Sequence, residues 1–153
     1  LILNLPVFID TAVDSLVTIT GLEAQKIKHA VREFDTQIDS NILIASMKFK
    51  GDISGNFFLV FHRSLAQAAL EAMLGESIDG DDTTALVDGI AELCNIITGG
   101  AKTTFSAKQI KVLFELPKTY ISLQLALKDT SEGNGIWIEM QLQNKPFYMF
   151  VTK

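Results

Sequence analysis

The chain has a single cysteine, Cys94, so no disulfide can close within it, and no Cys or His stands near it at metal-ligand spacing. Histidines number two, His29 and His62, and neither sits in a nucleophile motif; G-x-S-x-G, G-x-x-x-x-G-K-[ST] and a post-strand G-x-G-x-x-G are all missing. These absences argue against serine-hydrolase and conventional nucleotide-cofactor chemistry. No apolar run approaches the ~20 residues of a membrane span, and no basic segment precedes an apolar stretch at the N-terminus. A soluble, cytoplasmic protein is the expectation. The thirteen Lys and Arg are scattered in a chain of net charge −5, which argues against a nucleic-acid partner. Low-complexity and Pro/Ser-rich tracts are lacking too, so disordered tails are not expected.

What is present is a globular composition: 48% hydrophobic and 20% charged over 153 residues. That suits one domain over 1–153, burying about two thirds of its unfolded surface.

Residues 6–20 have helical periodicity, with Leu5, Ile9, Ala12, Leu16 and Ile19 near one side and Gly21 as the stop. Residues 22–41 are ambiguous between helix and strand, and their position favours strand. Two apolar runs, 42–49 and 56–62, flank the turn chemistry of Gly51-Asp-Ile-Ser-Gly55 and predict a hairpin. Ser64-Leu-Ala-Gln67 is a capping-box pattern opening an Ala-rich helix that ends near Gly75, with Leu65, Ala69, Ala72 and Met73 inward. The acidic loop 77–84 follows. One or two of Asp79, Asp81 and Asp82 are expected to cap the next helix.

That helix carries the functional signal. At ~100° per residue, Leu86, Ile90, Leu93, Ile97 and Ala101 share one side, while Asp88, Glu92, Asn95, Gly99, Lys102 and Ser106 share the other. Cys94 falls toward the apolar side, as a core thiol. Each Gly inside a helix costs about 0.5–1 kcal/mol relative to Ala, so Gly99 and Gly100 need a reason; close approach of another surface is the usual one. The segment also has an echo. Asp10-x3-Asp14-x2-Val17-x-Ile19-Thr20-Gly21 lies without gaps on Asp88-x3-Glu92-x2-Asn95-x-Ile97-Thr98-Gly99. Two diverged halves about a pseudo-twofold are expected, and only the second holds both Glu and Asn.

Beyond residue 106 the period becomes two. Ile110, Val112, Phe114 and Leu116 share a face before Pro117, residues 120–127 alternate, 129–135 read as a loop, and strands are expected over 136–142 and 147–151 around a turn at 143–146. Trp137 is expected in sheet-face packing. The fold expected is α/β of the α+β type: a mainly antiparallel sheet with two pseudo-repeat long helices and a third, shorter helix packed on it.

The residues Asp88-x3-Glu92-x2-Asn95 resemble the Asp/Ser-x3-Glu-x2-Asn pattern of the CheC/CheX/FliY family of chemotaxis phosphatases, and the retention of a single intact copy resembles its CheX branch. Ile96-Ile97-x-Gly99-Gly100-Ala101-Lys102-Thr103, the Gly51–Gly55 turn, the helix at Ser64 and Leu116-Pro117 are similar to the family as well. The resemblance is weakest over 22–41 and beyond Tyr120. It implies removal of the phosphoryl group from the aspartyl phosphate of a CheY-like response regulator, with Glu92 pairing with a lysine of the partner and Asn95 orienting the attacking water. Asp88, Gly99 and Lys102 would border the partner. No cofactor or metal would belong to this chain, the Mg2+ being the response regulator's. A homodimer through sheet edges is implied, with 136–142 or 147–151 as the seam. The alternative is a module of the same fold that binds a receiver domain or flagellar-switch component without turnover.

Overall fold

The computed structural model describes residues 4–38, 40–129 and 133–153. Helix α1 (Leu5–Thr20) has Pro6 in its first turn, where a missing N–H costs nothing, and ends on Gly21 at φ 71°, the left-handed C-cap that glycine adopts without strain. Strand β1 (Ala24–Arg32) resolves the ambiguous stretch in favour of strand. The hairpin predicted next is β2 (Ile42–Gly51) and β3 (Gly55–His62), in register from Ile42↔His62 to Phe49↔Gly55.

Helix α2 (Arg63–Leu74) starts one residue before the predicted cap. The N-cap is His62, whose Nδ1 accepts the Ser64 N–H at 3.2 Å and lies 2.8 Å from Ser64 Oγ; Gln67, instead of closing a capping box, donates to the Ile78 carbonyl at 2.8 Å. Leu65, Ala66, Ala69 and Leu70 are buried and Met73 packs against the core, but Ala72, expected inward, is exposed because it lies ~90° round the helix from the middle of that stripe. Helix α3 (Thr83–Ala107) is capped by Asp82, which accepts the Ala85 N–H at 3.1 Å.

The stretch after α3 departs from the expected long strands. β4 (Val112–Phe114) and β5 (Lys118–Tyr120) are three residues each, and Leu116, expected to share a strand face with Val112 and Phe114, is 87% exposed in the link between them. The alternating run 120–127 is mostly helix α4 (Leu123–Asp129). Leu123, Ala126 and Leu127 pack together at i, i+3, i+4 spacing, a pattern that the Leu alternation at 123, 125 and 127 mimics. The loop expected over 129–135 falls partly outside the described residues. β6 (Gly135–Leu142) and β7 (Lys145–Thr152) close the chain, joined by Gln143 and Asn144 at φ 52° and 63°, the positive-φ pair of a type I′ hairpin turn.

All strand pairings are antiparallel, in the order β1-β6-β7-β3-β2-β4, with β5 also on β2. Exchanging the halves (β1 for β4/β5, β2 for β6, β3 for β7) reverses this order into itself, so the sheet has the pseudo-twofold that the sequence echo implied, centred on β3 and β7. One sheet face packs on α1, α2 and α3 through Leu43, Met47, Phe57, Phe61, Ile138 and Met149. The opposite face is covered by Phe34 from the β1–β2 link and by Ala126 of α4, around Trp137, Phe58 and Phe150. These two covers occupy equivalent places in the two halves. Trp137 is 6% exposed, as sheet-face packing requires.

One expectation fails outright. β6 and β7 are interior strands, so neither can be the seam of a sheet-to-sheet dimer; the edges are β1 on one side and β4 and β5 on the other.

Candidate functional site

Helix α3 is held from below and from its start. Leu86, Ile90, Leu93, Ile97, Ala101 and Phe105 are fully buried. Arg63 of α2 donates from Nε to the Gly80 carbonyl (3.1 Å) and from Nη2 to Thr83 Oγ1 (2.6 Å), fixing the entry to the helix beside the Asp82 cap. Thr98, 1% exposed, donates its hydroxyl to the Cys94 carbonyl (2.9 Å) and touches Met47 Sδ (3.3 Å), pinning the middle of α3 to β2. Burial pushes the Cys94 thiol up to about 12, so it stays protonated and inert among apolar neighbours. It is the core thiol that the helix projection indicated.

The outward face is bare. Asp88, Glu92, Asn95, Gly99, Lys102 and Ser106 are all exposed along it, and at 1.5 Å rise per residue Asp88 and Asn95 stand ~10 Å apart along the axis. Among the described residues the side chains of Asp88, Glu92, Asn95 and Lys102 make no hydrogen bond or ion pair. All five sequence-predicted site residues therefore share one open surface. Thr103, eight residues after Asn95, is exposed on the same stripe, with its hydroxyl on the Gly99 carbonyl at 3.1 Å. From the sequence it stood only as the end of the family-like stretch 96–103, although i+4 spacing from Gly99 puts it on the outward face.

The two glycines differ. A Cβ built on Gly99 meets nothing within 4 Å, whereas one on Gly100 would lie 2.5 Å from Thr11 Cγ2 of α1. Gly100 is the close approach between the pseudo-equivalent helices, and Gly99 is a gap in the outward face. Among the described residues no group of three or more His, Cys, Asp or Glu could hold a metal ion, and no helix is long and apolar enough to cross a membrane.

A carboxylate and a carboxamide stand one turn apart on an open helix face, with a smooth step beyond them, and not in a concavity of the kind that encloses a small molecule. The family model for the chemotaxis phosphatase CheX matches residues 43–141, well over half of the chain, and the chain belongs to that family. No curated protein sequence matches it. Solved structures do. CheX from Vibrio vulnificus is similar at 20% identity over 97% of each chain, with a TM-score of 0.80. CheX from Desulfovibrio desulfuricans is similar at 19% identity over 97% of each, with a TM-score of 0.77. The CheX of Borrelia burgdorferi, solved in complex with CheY, BeF3 and Mg2+, is similar at 16% identity over 97% of this chain and 96% of that one, with a TM-score of 0.72.

Proposed function

We propose that the chain hydrolyses the aspartyl phosphate of a CheY-like response regulator by inserting the outward face of α3 into the receiver's active site. The observation that carries this is the pairing of Glu92 and Asn95, exposed and without side-chain partners one turn apart. An aspartyl phosphate is a reactive mixed anhydride, so the helper supplies no nucleophile and has only to place a water in line with phosphorus. The Asn95 carboxamide oxygen accepts a hydrogen bond from that water. Being neutral, it adds no repulsion toward the phosphoryl group. Glu92 forms a charge-assisted pair with a lysine at the receiver's active site and sets the register of docking. Asp88 and Lys102 border the contact, and the open space at Gly99 lets the helix enter a shallow mouth.

The deciding measurement is the decay of a phosphorylated CheY-like receiver with and without the protein. Wild type accelerates decay and Asn95→Ala does not. If wild type and Asn95→Ala are equally inert while the receiver still binds, the chain is a non-catalytic receiver-binding module.

A homodimer formed by antiparallel pairing of two β1 edges belongs to the same reading. β1 has a strand on one side only and exposes Ile27 (42%) and Val31 (63%), apolar side chains that a second copy would cover.

A further inference from the structure

Helix α1 presents a second version of the α3 face. The sheet's pseudo-twofold makes α1 the counterpart of α3. Asp10, Asp14 and Val17 are exposed on α1 where Asp88, Glu92 and Asn95 are exposed on α3. The rotational phase is the same, because Thr20 donates to the Leu16 carbonyl (2.6 Å) as Thr98 does to that of Cys94 (2.9 Å), in the same register of the repeat. A Cβ on Gly21, like one on Gly99, meets nothing within 4 Å.

Three things differ. Asp14 is one methylene shorter than Glu92. Val17, 43% exposed, offers no amide. Gly21 ends its helix, and the chain turning away leaves a cavity of about 270 Å3 beside Val17, also lined by Glu23, Gln25, Gln141 and Asn144. So α1 retains a carboxylate and open space at Gly21, lacks the amide that orients water, and ends before the position equivalent to Lys102. It contains two Asp and no Lys or Arg, so its face carries charge of one sign, fitted to a cation at the partner's surface.

We propose that the outward face of α1 is a second docking surface for the phosphorylated receiver, which holds it without hydrolysing it. This rests on the reading of α3 above. The Asp14 carboxylate takes the lysine that Glu92 takes on α3, and Val17 lies over the phosphoryl group with no acceptor for a water, so the anhydride survives while bound. The receiver is thereby divided between a face that discharges it and a face that shelters it.

Titration calorimetry with a BeF3-activated CheY-like receiver tests this. Wild type binds two receivers per chain, the second about ten-fold more weakly, because a shorter carboxylate pairs less well. Asp14→Lys leaves the tighter site and Glu92→Lys the weaker. One receiver per chain, lost in Glu92→Lys and kept in Asp14→Lys, overturns the proposal and leaves the α3 reading standing; no binding by wild type overturns both. As a second arm, Asp14→Glu with Val17→Asn on an Asn95→Ala chain restores turnover. If that chain stays inert, the receiver does not seat on α1 as it does on α3 and the proposal fails.

Discussion

Thr11 and Gly100 mark the point where α1 and α3 touch: Thr11 Cγ2 occupies the space a Cβ on Gly100 would need, 2.5 Å from it, while the neighbouring Gly99 faces nothing within 4 Å. Adjacent glycines in one helix thus answer to different constraints. One is required by the fold, and nothing within the fold requires the other.

Opposite responses to the same substitution follow. Gly99→Ala fills open space in a helix interior and stabilises the protein by about 0.5–1 kcal/mol, raising Tm by about 1–4 °C, yet slows receiver dephosphorylation about ten-fold by obstructing entry. Gly100→Ala destabilises by about 1–3 kcal/mol through overpacking. Thr11→Ser removes the obstructing methyl, so the Thr11→Ser/Gly100→Ala pair recovers most of that loss in a denaturant-based double-mutant cycle. Equal stability of the two alanine variants would contradict this account.

Glu92 and Asn95 separate kinetically. Asn95→Ala lowers kcat about 100-fold with little change in KM, as expected for a group acting only in the transition state. Glu92→Gln raises KM for the phosphorylated receiver, and the wild-type KM rises with ionic strength through the same pair. A Glu92→Gln variant that loses kcat while binding the receiver as wild type does would refute the docking role.

The β1 edge predicts the oligomer. Val31→Lys or Ile27→Lys places charge on the exposed apolar positions of the one full-length edge strand and yields monomers by light scattering where wild type is dimeric. An unchanged mass for both variants would direct attention to β4 and β5.

Cys94 reports on the core. Its thiol is raised by burial to about 12, so at pH 8 iodoacetamide leaves the native protein unmodified and alkylates it once unfolded, read by mass spectrometry. The unfolded chain ionises at the ordinary thiol pKa and the folded one only near 12. The thiol's contribution is therefore complete below about pH 9 and declines as pH rises toward 12, by on the order of 4 kcal/mol in total.

Local patterns carried the parts of this protein that were legible in advance. The 3.6-residue period of α1 and α3, the Gly21 stop, the Asp82 cap and the β2–β3 hairpin each depend on neighbours within a turn or two. The outward line from Asp88 to Lys102 follows from the same arithmetic. Where two periods fit equally, sequence misled: Leu123, Leu125 and Leu127 alternate like a strand, and α4 forms because Ala126 and its neighbours cap the second sheet face over Phe58 and Trp137. Ser64 looked like a cap until His62, from the preceding strand, supplied the acceptor.

By itself the amino-acid order determined that one helix would expose Glu92 and Asn95 and that an echo of it would lack the amide, because helical phase is a property of consecutive residues. The tertiary structure alone decided that β6 and β7 are interior, that β1 is an edge, and that Gly100 is filled by Thr11 while Gly99 stays open. Each of these depends on contacts between residues far apart in the chain, and no local period encodes which distant surface arrives.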